Sequence, residues 1–334
     1  MKRWRAVLTH PVVARLWSPL GRGLVSVLMW HRFSDDGVRG HSSAQLRDLL
    51  ERLRRDRYRL LPLTEVVEAC RTGRQFSERA VACTVDDGYA DFGDVAAPIF
   101  SEFDCPVTIF TVTGFIDGSC WLWWDQVEYA FLNSERASLS LAVDANRLNG
   151  KWSGGGEASA IAGRVSEEIQ WLPHERRLAV IDELTHHLEV DIPDAPPAEY
   201  SPLTWDQVRT LRQCGFDFGP HTMTHPILSA IAESDVRREI EGSWQRLSEE
   251  VADPVPIFCY PHGGPDAFGE REIKAVQVAG LQGAVSTTPK HTNAVDNAYV
   301  VPRFACPEDT SSAITIVGGL QKVRTQLRGF RLST

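Results

Sequence analysis

Along this chain, short and mostly apolar runs alternate with stretches whose apolar positions recur every three or four residues, the pattern of buried parallel strands joined by amphipathic helices. Residues 24–30, Leu-Val-Ser-Val-Leu-Met-Trp, predict a first buried strand that ends at His31. Residues 43–58 set Leu46, Leu49, Leu50 and Leu53 among charges and predict a helix. Residues 60–63 predict a short strand, with Thr64 capping a helix over 65–70. The run 80–85 predicts the next buried strand and leads straight into Asp86-Asp87-Gly88-Tyr89. A helix over 95–103 and a strand over 107–112 complete that unit.

The texture changes between Trp123 and Tyr200. Helical patterns at 125–132 and 175–188 flank the small run Ser153-Gly154-Gly155-Gly156, and Pro193, Pro196 and Pro197 close the stretch, which predicts a mostly helical insertion over about 125–200. The alternation then resumes. Thr204 caps a helix over 205–214 that Gly215 ends, and a strand over 216–218 leads to Gly219-Pro220-His221. Ser234 caps a helix over 235–250; strands follow at 257–260, 283–286 and 299–303, with a helix over 271–279.

With 43% hydrophobic and 24% charged residues in 334, composition excludes a disordered or fibrous chain. A net charge of −9 argues against nucleic acid as the main partner, which would need a basic surface. The charge is uneven, however: Lys2, Arg3, Arg5, Arg15, Arg22 and Arg32 precede any acidic residue, and Lys322, Arg324, Arg328 and Arg331 crowd the other end. The domain reading is a basic lead over 1–23, a catalytic domain over 24–310 and a helix with a basic tail over 311–334. Trp4, Val7, Leu8 and Trp17 in the lead could rest on anionic lipid, and a plain packing helix or disordered lead fits equally well. Seven singly scattered cysteines, no apolar run long enough to span a bilayer and no cleavable signal point to a reducing, cytoplasmic setting.

Candidate chemistry sits at two strand ends. His221-Thr222-Met223-Thr224-His225 places two imidazoles four residues apart, so that one helical turn would present both to a metal. Asp86-Asp87 puts two carboxylates in a strand-to-turn junction, where alternating side chains let one bind a cation while the other faces water. Two histidines and one carboxylate leave positions open on a divalent ion, as catalytic sites do, and hydrolysis is the natural consequence. His186-His187 lies on a charged helical face and reads as solvated. Trp121, Trp123 and Trp124 read equally as a sugar-stacking platform or as core.

These residues resemble a known family. Thr84-Val85-Asp86-Asp87-Gly88-Tyr89 resembles the T-F-D-D-G-Y motif of polysaccharide deacetylases (the NodB-homology group, carbohydrate esterase family 4), and His221 to His225 resembles their H-[ST]-x-x-H. Leu28-Met29-Trp30-His31-Arg32 resembles an L-M-Y-H-R opening, and Phe258-Cys259-Tyr260-Pro261-His262-Gly263 an F-x-Y-P-x-G segment, so that the resemblance spans roughly 27–305. It implies a deformed (β/α) barrel, with Asp87, His221 and His225 as metal ligands and Asp86 as general base. The backbone N–H of His262 would help stabilise the oxyanion. The implied ion is Zn2+, with Co2+, Ni2+ or Fe2+ as alternatives.

Two departures shift roles. The family's arginine before the proline is replaced here by Cys259, and Arg303 is the expected substitute from another strand. The late Leu-x-His that carries the general acid is missing; His31 is the expected replacement, with His291 as second candidate. The implied reaction is hydrolysis of an N-acetyl group on an amino sugar of a polysaccharide or glycan precursor, a nucleotide- or lipid-linked intermediate included. Hydrolysis of another amide or an O-acetyl ester, and an inactive carbohydrate-binding protein, are the alternatives.

Overall fold

The computed structural model describes residues 23–36, 39–144 and 146–319. The basic N-terminal lead up to Arg22 and the tail bearing Lys322, Arg324, Arg328 and Arg331 lie outside the described residues. Strand β1 (Val25–Trp30) is followed by helix α1 (Ser43–Arg55), β2 (Arg59–Leu61), α2 (Leu63–Thr72) and β3 (Ala80–Val85). A π-helical turn (Phe92–Ala96) then opens α3 (Ala97–Glu102), ahead of β4 (Val107–Thr111) and the single turn α4 (Thr113–Ile116). After an insertion come α8 (Trp205–Gln213), β7 (Asp217–Pro220), α9 (Glu233–Glu250), β8 (Ile257–Cys259), α10 (Glu270–Val278), β9 (Gly283–Val285), β10 (Phe304–Ala305) and α11 (Thr310–Val317).

The main sheet is parallel throughout and runs β10-β1-β3-β4-β7, with β2 also paired to β3; β8 and β9 form a separate parallel pair. Between β7 and β8 the ladder reduces to the Val255 N–H donating to Phe218 O at 2.8 Å. Pro254 and Pro256 flank that residue, and neither can donate to a ladder. The ring closes on the other side through a short segment. Val301 bridges Val285, and Phe304 and Ala305 then pair with Leu28 and Met29 of β1. This is the deformed (β/α) barrel.

Both faces of β3 are covered, because alternate residues enter different clusters. Val81, Cys83 and Val85 pack with Leu50 and Phe100 under the outer helices, while Ala80 and Ala82 pack with Val27, Ile257 and Val301. Extending that alternation places Thr84 and Asp86 on the same inner side.

The insertion has a core of its own around Trp123, Phe131, Trp152, Ile161 and Leu184. Helices α5 (Trp123–Leu132), α6 (Gly155–Ile169) and α7 (His174–Leu188) surround an antiparallel hairpin, β5 (Ser138–Val143) and β6 (Asn146–Lys151). The hairpin and α6 are additions to the two helices expected at 125–132 and 175–188. The strict alternation of Leu139, Leu141 and Val143 is a strand signal, and Gly154 starts α6 rather than acting as a spacer.

Other boundaries shift for local reasons. Helix α2 begins at Leu63 with Pro62 in the capping place, not at Thr64, and α9 starts at Glu233 behind Ala232, not behind Ser234. The strand expected over 299–303 shrinks to the bridge at Val301, since Pro302 breaks the ladder, and the paired residues are Phe304 and Ala305.

Candidate active site

Five of the candidate residues, His31, Asp86, Asp87, His221 and His262, lie just beyond the C-terminal ends of parallel strands, the rim on which α/β barrels carry their chemistry. His31 follows β1, Asp86-Asp87 follow β3, His221 follows β7 and His262 follows β8. Together with Arg32, Arg39, Tyr89, Trp124, Asp125, Glu128, His225, Tyr260 and Thr287 they line one cavity of about 420 Å3.

Asp87 carries a left-handed φ of 74°, followed by Gly88 at 87°, so the chain turns sharply off the strand. That turn aims Asp87 Oδ1 at His221 Nε2 (3.5 Å) and His225 Nε2 (3.6 Å). All three side chains are buried, and Asp87 Oδ1 has no hydrogen-bond partner. His221 Nδ1 lies 2.7 Å from the Cys259 carbonyl, so it carries the proton and leaves the Nε2 lone pair turned toward Asp87. Tetrahedral ligands at roughly 2.1 Å from a zinc ion sit about 3.4 Å apart. The donor set, its spacing and the orphaned buried carboxylate oxygen all fit a divalent cation.

The histidine pair is not on a helix, contrary to expectation. Thr222 and His225 have φ of 67° and 55°, and the α conformation is disfavoured for a residue preceding a proline such as Pro226. A loop brings the imidazoles together, with ring centroids 4.7 Å apart. Glu239 of α9 holds that loop: Oε2 accepts the Met223 and Thr224 N–H groups (2.8 and 2.9 Å), and Oε1 accepts the Thr224 hydroxyl (2.7 Å). The Gly114 N–H donates to Met223 O, which a Cβ on that glycine would meet at 2.5 Å. Sequence reasoning missed Glu239, a lone acid on the apolar face of an amphipathic helix.

Asp86 faces inward and meets Arg303, which is fully buried. The guanidinium binds it bidentately, Nη1 to Oδ1 at 2.7 Å and Nη2 to Oδ2 at 2.8 Å. The remaining donors reach Ser286 O, Thr84 Oγ1 and Cys259 Sγ (3.2, 3.0 and 3.1 Å). Burial alone would raise the Asp86 carboxyl, but the Arg303 charge and hydrogen bonds outweigh it and hold the group at about 2. Cys259 Sγ lies 3.5 Å from Asp86 Oδ2. Arg303 therefore occupies the neighbourhood of the cysteine that stands in the arginine's usual sequence place.

His31 is half exposed at the cavity mouth, its Nε2 4.0 Å from Asp86 Oδ2. His291 is elsewhere: it hydrogen-bonds Ser26 Oγ near the start of β1, 3.0 Å away, at the opposite end of the strand from His31. That distance from the cavity removes it as a candidate acid. His262 sits on the rim with φ of 58°, and burial together with the Arg177 charge lowers its imidazole to about 4, so the ring is neutral. His186 and His187 are exposed, as their charged surroundings suggested.

The three tryptophans divide. Trp123 joins the insertion core, Trp121 packs on Tyr129 and Tyr200, and Trp124 enters the cavity edge-to-face against His225 at 4.7 Å. Its Nε1 donates to Tyr89 Oη (3.0 Å), and that hydroxyl donates to Asp125 Oδ2 (2.7 Å). Burial pushes the Asp125 carboxyl up to about 7 despite the Tyr89 bond and the Arg32 charge. Arg32 covers the Tyr89 ring at 3.9 Å and pairs with Asp91; Arg39 pairs with Glu128 and Tyr200. Sequence reasoning offered Trp124 for a sugar-stacking platform but missed Asp125, although Asp125 shares the buried face of α5 with Trp123, Val127 and Phe131.

Residues 170–284 match the polysaccharide deacetylase family model, a stretch that holds both histidines and the His262 loop but not Asp86-Asp87. The chain is 29% identical over 99 residues to the poly-beta-1,6-N-acetyl-D-glucosamine N-deacetylase of Escherichia coli (strain K12); that stretch is 28% of this chain and 15% of the relative. Two solved structures share the fold. A Streptococcus pyogenes deacetylase, PplD, in complex with acetate matches with a TM-score of 0.57 and 15% identity, over 88% of this chain and 97% of that one. A de-N-acetylase from Aggregatibacter actinomycetemcomitans matches with a TM-score of 0.55 and 16% identity, over 88% and 99%. The family match over residues 170–284 and the barrel shared with these two structures support a polysaccharide deacetylase domain of the NodB-homology type.

Proposed function

We propose that this domain is a metal-dependent carbohydrate N-deacetylase, which hydrolyses an N-acetyl group on an amino sugar and releases acetate. The observation that carries the reading is the separation of two adjacent aspartates into two environments. Asp87 points at two imidazoles with an orphaned oxygen, while Asp86 is locked onto a buried arginine.

Asp87, His221 and His225 would hold the ion, which when bound polarises a carbonyl and makes water a better acid. Asp86, kept ionised by Arg303, takes the proton of the attacking water. The His262 N–H, on the turn at the cavity rim, steadies the charge that builds on the carbonyl oxygen. His31 at the cavity mouth protonates the departing nitrogen, without which an amide expels its amine poorly. His31→Ala should lower kcat on an N-acetylated sugar by about a hundredfold or more with the metal content unchanged. Near-full turnover in that variant would remove His31 from the mechanism.

Among the described residues no helix is long and apolar enough to cross a membrane. The dispersed cysteines support action in a reducing compartment on a nucleotide- or lipid-linked sugar, and the basic lead would contact anionic lipid. Acetate release from matched N-acetylated and O-acetylated substrates tests the function, with nucleotide sugars, lipid-linked sugars and β-1,6-linked N-acetylglucosamine oligomers in the panel. Release from N-acetylated sugars is expected. Release from the esters alone, or from neither, would overturn the assignment in favour of an esterase or an inactive binding protein.

A further inference from the structure

The groups assigned to the chemistry all come from the barrel, most of them from the loops that follow its strands, yet one side of the cavity is built by the insertion. Helix α5 brings Trp124, Asp125 and Glu128 to it, and Glu128 is already occupied by Arg39 and Tyr200. Asp125 is different. It is only 4% exposed, it faces the cavity, and its Oδ2 receives the Tyr89 hydroxyl while Oδ1 keeps its acceptor capacity.

A carboxylate is a costly residue for this position. Its neighbours on the buried face of α5 are Trp123, Val127, Ala130 and Phe131, and an apolar side chain would join them without losing hydration. Arg32 is no full compensation, since its closest carboxylate is Asp91 at 2.6 Å. Asp125 is also well positioned: Tyr89 is braced by the Trp124 indole N–H and the Arg32 guanidinium, so the carboxylate is fixed before any ligand arrives. A rigid acceptor beside an aromatic ring is what a sugar requires, since its hydroxyls donate hydrogen bonds and its C–H face packs on an aromatic surface.

We propose that Asp125 and Trp124 form the sugar-recognition wall of this site, with Asp125 accepting a hydrogen bond from a ring hydroxyl of the amino sugar whose acetamido group is hydrolysed. The inference rests on the deacetylase reading. It makes the insertion a specificity element in which Asp125 selects the substrate and takes no part in proton transfer.

Steady-state acetate release from an N-acetylglucosamine oligosaccharide and from its 3-deoxy and 6-deoxy counterparts tests this in the full chain, with wild type, Asp125→Asn and Asp125→Ala compared at equal metal content. For the parent sugar, Asp125→Ala should raise KM about ten- to a hundredfold, the range for a hydrogen bond to a charged group, while kcat moves less than about threefold. Asp125→Asn, which keeps shape and an acceptor, should show a smaller rise. One deoxy sugar should already be poor for wild type and lose little more in Asp125→Ala, because the partner hydroxyl is gone. An unchanged KM, equal losses on all three sugars, or a fall in kcat together with metal content would overturn the role of Asp125. A wild-type enzyme inactive on every N-acetylated sugar overturns the deacetylase reading and this inference with it.

Discussion

Asp86→Asn and Asp87→Asn should both abolish most acetate release, but for different reasons that metal analysis separates. Asp87→Asn weakens a ligand set whose oxygen lies 3.5 and 3.6 Å from two imidazole nitrogens, and an amide oxygen brings no charge to a divalent ion. The purified variant should carry little metal, and added Zn2+ should restore part of its activity. Asp86→Asn leaves Asp87, His221 and His225 untouched, so metal content should match wild type. Its kcat should nevertheless fall about 10²- to 10⁴-fold, the usual worth of a positioned general base, and added metal should restore nothing. Each substitution is nearly isosteric, which limits loss of folded protein; Asp86→Asn does strand a buried guanidinium, so melting curves should accompany the kinetics. If Asp86→Asn kept a tenth of wild-type turnover with metal bound, the proton would have to leave by another group, and the pairing of roles between the two aspartates would be wrong.

How much of this could be read from the sequence depended on whether the signal was local. The buried strands ending at Trp30 and Val85 announce themselves because a strand covered on both faces must be mostly apolar, and both are, with Ser26 and Thr84 as the exceptions. Asp86-Asp87 and His221-His225 were legible as residues with the right chemistry. Their conformation was not, because the histidine spacing suits a helix and only Pro226 spoke against it. The barrel wall that seats Arg303 was misread as a strand over 299–303. What closes the barrel there is one bridge, a proline and a two-residue strand, too short to leave a period. The insertion wall was the least visible part. Trp124, Asp125 and Glu128 lie on a helix whose relation to Tyr89 is set by packing across more than thirty residues, and no pattern within the helix encodes that. The hints were the tryptophan cluster, which read equally as core, and a carboxylate on a buried helical face.

Arg303 carries the second large effect, and its direction follows from the two opposing influences on Asp86. Burial favours the neutral acid, whereas the bidentate guanidinium favours the carboxylate strongly enough to hold it at about 2. Because this folded value lies below the ordinary 3.8, ionised Asp86 contributes stability above that ordinary value, and the contribution fades as pH falls from about 4 toward 2. Arg303→Ala removes the largest influence opposing burial, one that grips both carboxylate oxygens. The acid limb of kcat/KM should therefore move to higher pH by about two units or more, since below the new value Asp86 is protonated and cannot accept the water's proton. The truncation also leaves a charge buried without its partner, so about 3–5 kcal/mol of stability should be lost in denaturant titrations near neutral pH. Arg303→Lys separates the two effects. A lysine returns a positive charge but not the planar fork that grips both oxygens, so the acid limb should move back part of the way while kcat stays depressed. An acid limb that does not move in a folded, metal-loaded Arg303→Ala enzyme would mean that this arginine serves the barrel's closure and not the base.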